Sequence, residues 1–64
     1  MTTTDVYIGY GKYLTFNQEQ LDDFIKAYQQ AKSNNQESFD FEGEDIQISY
    51  ATYMIEFVKS QLTQ

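Results

Sequence analysis

The stretch Glu37-Ser38-Phe39-Asp40-Phe41-Glu42-Gly43-Glu44-Asp45 decides how this chain is read. It holds five of the ten acidic residues and no lysine. It also alternates: Phe39 and Phe41 point to one side of an extended strand, and Ser38, Asp40 and Glu42 to the other. One face suits a core, while the other shows water a row of carboxylates. Glu42-Gly43-Glu44 can turn the chain, and Asp45-Ile46-Gln47-Ile48 alternates again. The spacing therefore predicts a short hairpin, 38–42 with 45–48.

On the N-terminal side of this hairpin, the period changes to that of a helix. Leu21, Phe24, Ile25 and Tyr28 fall at i, i+3, i+4 and i+7. Asn17 followed by Gln20 matches a capping box. Glu19, Asp22 and Asp23 near the start and Lys32 at the end suit the helix dipole, and Asp22 and Lys26 are spaced to pair. A helix over 18–32 is predicted, stopped by Ser33-Asn34-Asn35-Gln36. Before it, Thr2 to Phe16 is rich in β-branched and aromatic residues, with Val6, Ile8, Tyr10, Leu14 and Phe16 at even positions. Gly9-Tyr10-Gly11 interrupts this run, which predicts a hairpin of 4–9 with 12–16 or a bulge; one bent strand is the alternative.

After the acidic hairpin, a second helix is predicted from about Ser49 to Leu62. Ala51, Ile55, Val58 and Leu62 share one face, flanked by Tyr50, Met54 and Phe57, with Tyr53 extending the band. The width of this band suggests a second packing partner, either the first helix or another chain. The order strand, strand, helix, strand, strand, helix predicts one α+β domain over 1–64. Its expected form is a small antiparallel sheet of about four strands with both helices on one face.

Composition bounds the function. Sixty-four residues without cysteine cannot be stapled by disulfides, and a chain this short buries roughly 60% of its unfolded surface. Eleven aromatics, six Tyr and five Phe, supply the core instead. The absence of proline and the presence of only three glycines argue against disorder. A net charge of −6 with four basic residues disfavours direct nucleic-acid and anionic-membrane binding. No apolar run approaches the ~20 residues of a membrane span. The Met1-Thr2-Thr3-Thr4 start lacks signal-peptide features, so a cytoplasmic location is expected.

No motif carries catalysis. Gly9-x-Gly11-Lys12 has the wrong spacing for a phosphate loop and runs on into a strand. Numbered as a calcium loop from Asp40, the chain places Asp45 where glycine is needed and Ala51 where the bidentate Glu belongs. A weak divalent-cation or small-ligand site at 40–45 remains as an alternative. With neither histidine nor cysteine, no transition-metal site, cofactor or enzymatic activity is expected.

What remains is surface recognition. Glu37, Asp40, Glu42, Glu44 and Asp45 form a candidate docking surface for a protein with a basic patch; its alternative is a solvated strand. Alternate strand residues lie ~6.7 Å apart, which allows imitation of backbone phosphates. Tyr7, Tyr10 and Tyr13 are candidate contact anchors, or else ordinary half-buried strand residues. Tyr50, Tyr53, Met54 and Phe57 are candidates for a homo-oligomer interface. In size, acidity and lack of cysteine the chain resembles phage-encoded inhibitors that mimic DNA or block host defence proteins, a likeness of composition rather than of motif. It implies a small module that inhibits or titrates a protein partner. A structural homo-oligomer is the competing reading.

Overall fold

The structure is a computed structural model and describes residues 3–62. The expected strand region reaches back to Thr2, which with Met1 lies outside the described residues. The elements are β1 (Thr4–Gly9), β2 (Lys12–Phe16), α1 (Gln18–Ser33), β3 (Ser38–Phe41), β4 (Glu44–Gln47) and α2 (Ile48–Leu62). The α+β class and the ββαββα order hold. α2 begins at Ile48, which the alternation had assigned to the last strand. Its N–H still bonds the Glu37 carbonyl at 2.9 Å, so Ile48 closes the hairpin ladder while opening the helix.

The four strands form two separate two-stranded antiparallel sheets, not a single sheet. The hairpins meet through side chains. The Phe16 and Phe41 rings stack at 6.0 Å, and Phe24 of α1 contacts Phe16, Phe39 and Phe41 at 5.3, 5.4 and 4.9 Å. These bulky rings occupy the junction that backbone bonds would otherwise bridge.

Both hairpins close on two-residue turns. Tyr10-Gly11 has φ values of 55° and 73°, and Glu42-Gly43 has 52° and 80°. Two successive positive φ angles mark the type I′ turn, whose twist matches that of the flanking strands. In the first hairpin Tyr7 pairs with Tyr13 but Gly9 pairs with Lys12, so Ile8 is the extra residue of a bulge. The Gly9-Tyr10-Gly11 interruption is therefore both hairpin and bulge.

α1 starts as the sequence requires. The Asn17 side chain accepts from the Gln20 N–H at 2.8 Å, and the Gln20 side chain accepts from the Asn17 N–H at 3.2 Å. Asp22 does not pair with Lys26; it accepts from the Gln18 amide at 3.2 Å, one turn earlier. The helices pack on each other. α1 also packs on β3 and β2, and α2 on β1 and β4, so each helix lies across both hairpins. One core joins Val6, Leu14, Phe16, Leu21, Phe24, Ala31, Phe39, Ile46, Ala51, Met54 and Val58. No buried side-chain polar atom among the described residues lacks a hydrogen bond. No helix among them is long and apolar enough to cross a membrane.

Candidate functional site

The two hairpins carry equivalent rungs with opposite chemistry. Counting from each turn, the third rung faces the core in both: Val6 with Leu14, and Phe39 with Ile46. The second rung faces water in both. In the first hairpin it is Tyr7 with Tyr13, their rings 5.3 Å apart edge to face. In the second it is Asp40 with Asp45. Side chains directly opposite on an antiparallel pair have Cβ atoms ~5 Å apart, and like charges there repel. Among the described residues no lysine lies within ion-pair distance of either aspartate.

The acidic cluster thus divides. Asp40 and Asp45 share the exposed face of the hairpin, Glu42 sits at its tip, and Glu37 is exposed just before β3. Glu44 falls on the other side of the strand, half-buried, and binds Lys12 of β2 at 3.5 Å. Glu44 is therefore an internal tie between hairpins rather than part of the outward row. This division also separates the carboxylates as cation ligands: among the described residues no three acidic side chains converge on one point.

The tyrosines divide as well. Tyr10 is 99% exposed at the first position of its turn, while Tyr13 and Tyr7 are 64% and 47% exposed on the outward face. The Tyr7 hydroxyl accepts from the Gly11 N–H at 3.2 Å, and Thr15 donates to Asp5 at 2.6 Å on the same face. Tyr50 of α2 is half-buried, its hydroxyl donating to the Tyr7 carbonyl of β1. Tyr53 is exposed, with its ring 5.7 Å from Tyr50 and 6.3 Å from Phe57. Met54, grouped with them as an interface candidate, is instead fully buried in the core. The reason is helical phase: the buried stripe runs Ala51, Met54, Val58, leaving Ile55 and Leu62 only half-buried.

Two further surface features adjoin the candidate residues, and the first takes in Tyr7, Tyr10, Glu44, Asp45 and Tyr50 among them. An open groove of about 910 Å³ runs between β1 and β4, with Ile8, Tyr10, Lys12, Ile46, Gln47 and Tyr50 among its walls. Between the helices, the Tyr28 and Thr52 hydroxyls meet at 2.8 Å beside a recess of about 280 Å³. That hydrogen bond to Thr52 lowers the Tyr28 pKa below its ordinary value; desolvation opposes it, and the charge of Lys32 assists. One sequence signal for the hairpin tie was available: Lys12 and Glu44 each directly follow their turn glycine.

Comparison with protein-family models, curated proteins and solved structures yields no match.

Proposed function

We propose that this chain is a small acidic binding module that inhibits or titrates a protein partner bearing a basic surface, in the cytoplasm. The Asp40–Asp45 rung carries the reading. Two carboxylates held side by side on an exposed face, with no lysine of the described residues within ion-pair distance, cost the hairpin a few tenths of a kcal/mol. A lysine- or arginine-bearing partner removes that repulsion on binding and is steered to it by the net charge of −6. Glu42 and Glu37 extend the field around the rung. Tyr10 supports a contact role, because an exposed tyrosine in a left-handed turn position is locally unfavourable yet offers a rigid amphipathic anchor. Where the partner's basic surface normally holds phosphates, the module acts as a DNA mimic of the phage-inhibitor kind.

The test is capture from bacterial lysate by the unaltered protein and by Asp40→Lys/Asp45→Lys, under rising salt. A dominant partner retained by the first and lost by the second supports the reading. Equal capture by both removes it.

A second reading, a homo-oligomer built on α2, is favoured by the ring series Tyr50, Tyr53 and Phe57, whose middle member is 57% exposed. It requires a melting temperature that rises with protein concentration. A monomer at all concentrations in sedimentation rejects it.

A further inference from the structure

We propose that the outer edge of β4 takes up an extended strand from the partner, with basic side chains alternating with apolar ones; this rests on the acidic-docking reading above. The phase of the β3–β4 ladder defines that edge. Ile48 N–H bonds the Glu37 carbonyl, one step beyond the Ser38–Gln47 rung. Hydrogen-bonded and non-hydrogen-bonded rungs alternate in an antiparallel pair. Phe39–Ile46 and Phe41–Glu44 are therefore bonded rungs, while Ser38–Gln47 and Asp40–Asp45 are not. The N–H and C=O of Asp45 and the N–H of Gln47 consequently point away from β3, off the free edge of a two-stranded sheet, while the Gln47 carbonyl stands at the N-cap position of α2 and serves its first turn. Both residues line the groove between β4 and β1. Across it, the Tyr7 carbonyl also points off its own sheet, where the Tyr50 hydroxyl meets it.

A strand laid on β4 gains backbone bonds from Asp45 and Gln47. Its side chains alternate between the two faces that β4 already defines. On the outward face its neighbour is Asp45, with Asp40 one strand further on, which selects lysine or arginine. On the inward face its neighbour is Ile46, with Ile8 and Tyr50 in the same groove, which selects an apolar residue. Charge and hydrophobicity together thus specify the occupant's pattern.

The probe is a capped peptide of about seven alternating lysine and valine residues, long enough to overrun the four residues of β4. Backbone-amide NMR of the full chain is expected to show salt-sensitive binding, with the largest shifts at Asp45 and Gln47. N-methylating alternate peptide residues on one edge is expected to weaken binding about tenfold, from the loss of backbone bonds. Gln47→Pro is expected to weaken it similarly, because that N–H has no role in the β3–β4 ladder; circular dichroism checks its fold. The N-methyl peptides carry the test on the unaltered protein if this variant fails to fold. If every N-methylated form binds like the parent while Asp40→Lys/Asp45→Lys abolishes binding, strand pairing is wrong and side-chain docking survives. If the parent peptide does not bind, or ignores the charge reversal, both readings fail for this face. If the Asp45 and Gln47 amides shift with protein concentration alone, the occupant is a second copy and the proposal is overturned.

Discussion

Lys12 and Glu44 hold the same place in the two halves of the molecule, each directly after its turn glycine, and they bind each other at 3.5 Å. The pair ties the hairpin tips together where no backbone bond does. Both side chains keep substantial water contact, so the tie is worth less than about 1 kcal/mol. Lys12→Met is expected to lower stability by no more than that in urea unfolding, with the difference shrinking at high salt. A loss above about 2 kcal/mol would show that the pair sets the hairpin packing rather than decorating it.

Asp45→Lys replaces a like-charged rung with an opposite-charged one. It is expected to gain about 0.5 kcal/mol in stability while weakening partner capture. Stability and binding moving in opposite directions is the signature of a surface kept for recognition. A variant that is more stable and binds equally well would leave the acidic face as ordinary solvation.

The elements were legible almost residue by residue, because each carries a local signal: the alternation of Phe39 and Phe41, the Asn17–Gln20 box, the turn glycines. What was not legible is long-range. Alternation says that β1 and β3 each have an inward face, but not whether two hairpins share one sheet. That depends on how the Phe16, Phe24, Phe39 and Phe41 rings fill the space between them. The bulge at Ile8 shifts register by one residue, which no composition rule locates within a Gly-x-Gly run. Met54 illustrates a third limit. On a helix with apolar residues around much of its circumference, only the packed partner decides which stripe is buried. Among the acidic candidates, Glu44 faced inward because the two-residue turn makes it the direct cross-strand partner of Phe41 and so puts both on one face of the hairpin, a parity fixed by the turn type.

The turns offer a separable test of strain. Tyr10 and Glu42 occupy left-handed positions where Asn is the better residue, and Tyr10 is too exposed to lose packing when replaced. Tyr10→Asn and Glu42→Asn are each expected to raise stability by about 0.5–1 kcal/mol. Gly43→Ala is expected to cost about 1–2 kcal/mol, purely through φ, because an added Cβ meets nothing within 4 Å. Thermal unfolding of the three variants checks both signs; a destabilised Tyr10→Asn would mean that Tyr10 packs in solution.

Phe24 is the residue on which both hairpins depend. It is fully buried and touches aromatic rings from β2 and β3. Phe24→Ala is expected to cost about 3–5 kcal/mol, which consumes much or all of the roughly 3–10 kcal/mol available to a chain of this size. Loss of the cooperative unfolding transition is the expected outcome by circular dichroism. A cost near 1 kcal/mol would show that the two hairpins are held by the helices independently of this ring.

Tyr28 gives the fold a pH dependence with a defined sign. Thr52 donates to the Ile48 carbonyl at 3.2 Å and meets the Tyr28 hydroxyl at 2.8 Å. When Tyr28 ionises, the Thr52 hydroxyl can turn to donate to the phenolate, and this bond is the main cause of the lowered pKa, with Lys32 assisting. A lowered folded-state pKa means that the folded chain releases this proton more readily than the unfolded chain. The resulting stabilisation is fully present above the unfolded value of about 10 and is lost as pH falls through the folded pKa. At neutral pH it contributes nothing. Thr52→Val is therefore expected to raise the Tyr28 pKa, seen as a later tyrosinate component that Tyr28→Phe deletes altogether. The stability deficit of Thr52→Val should widen as pH rises toward 10. A deficit independent of pH would assign the Tyr28–Thr52 contact a packing role alone.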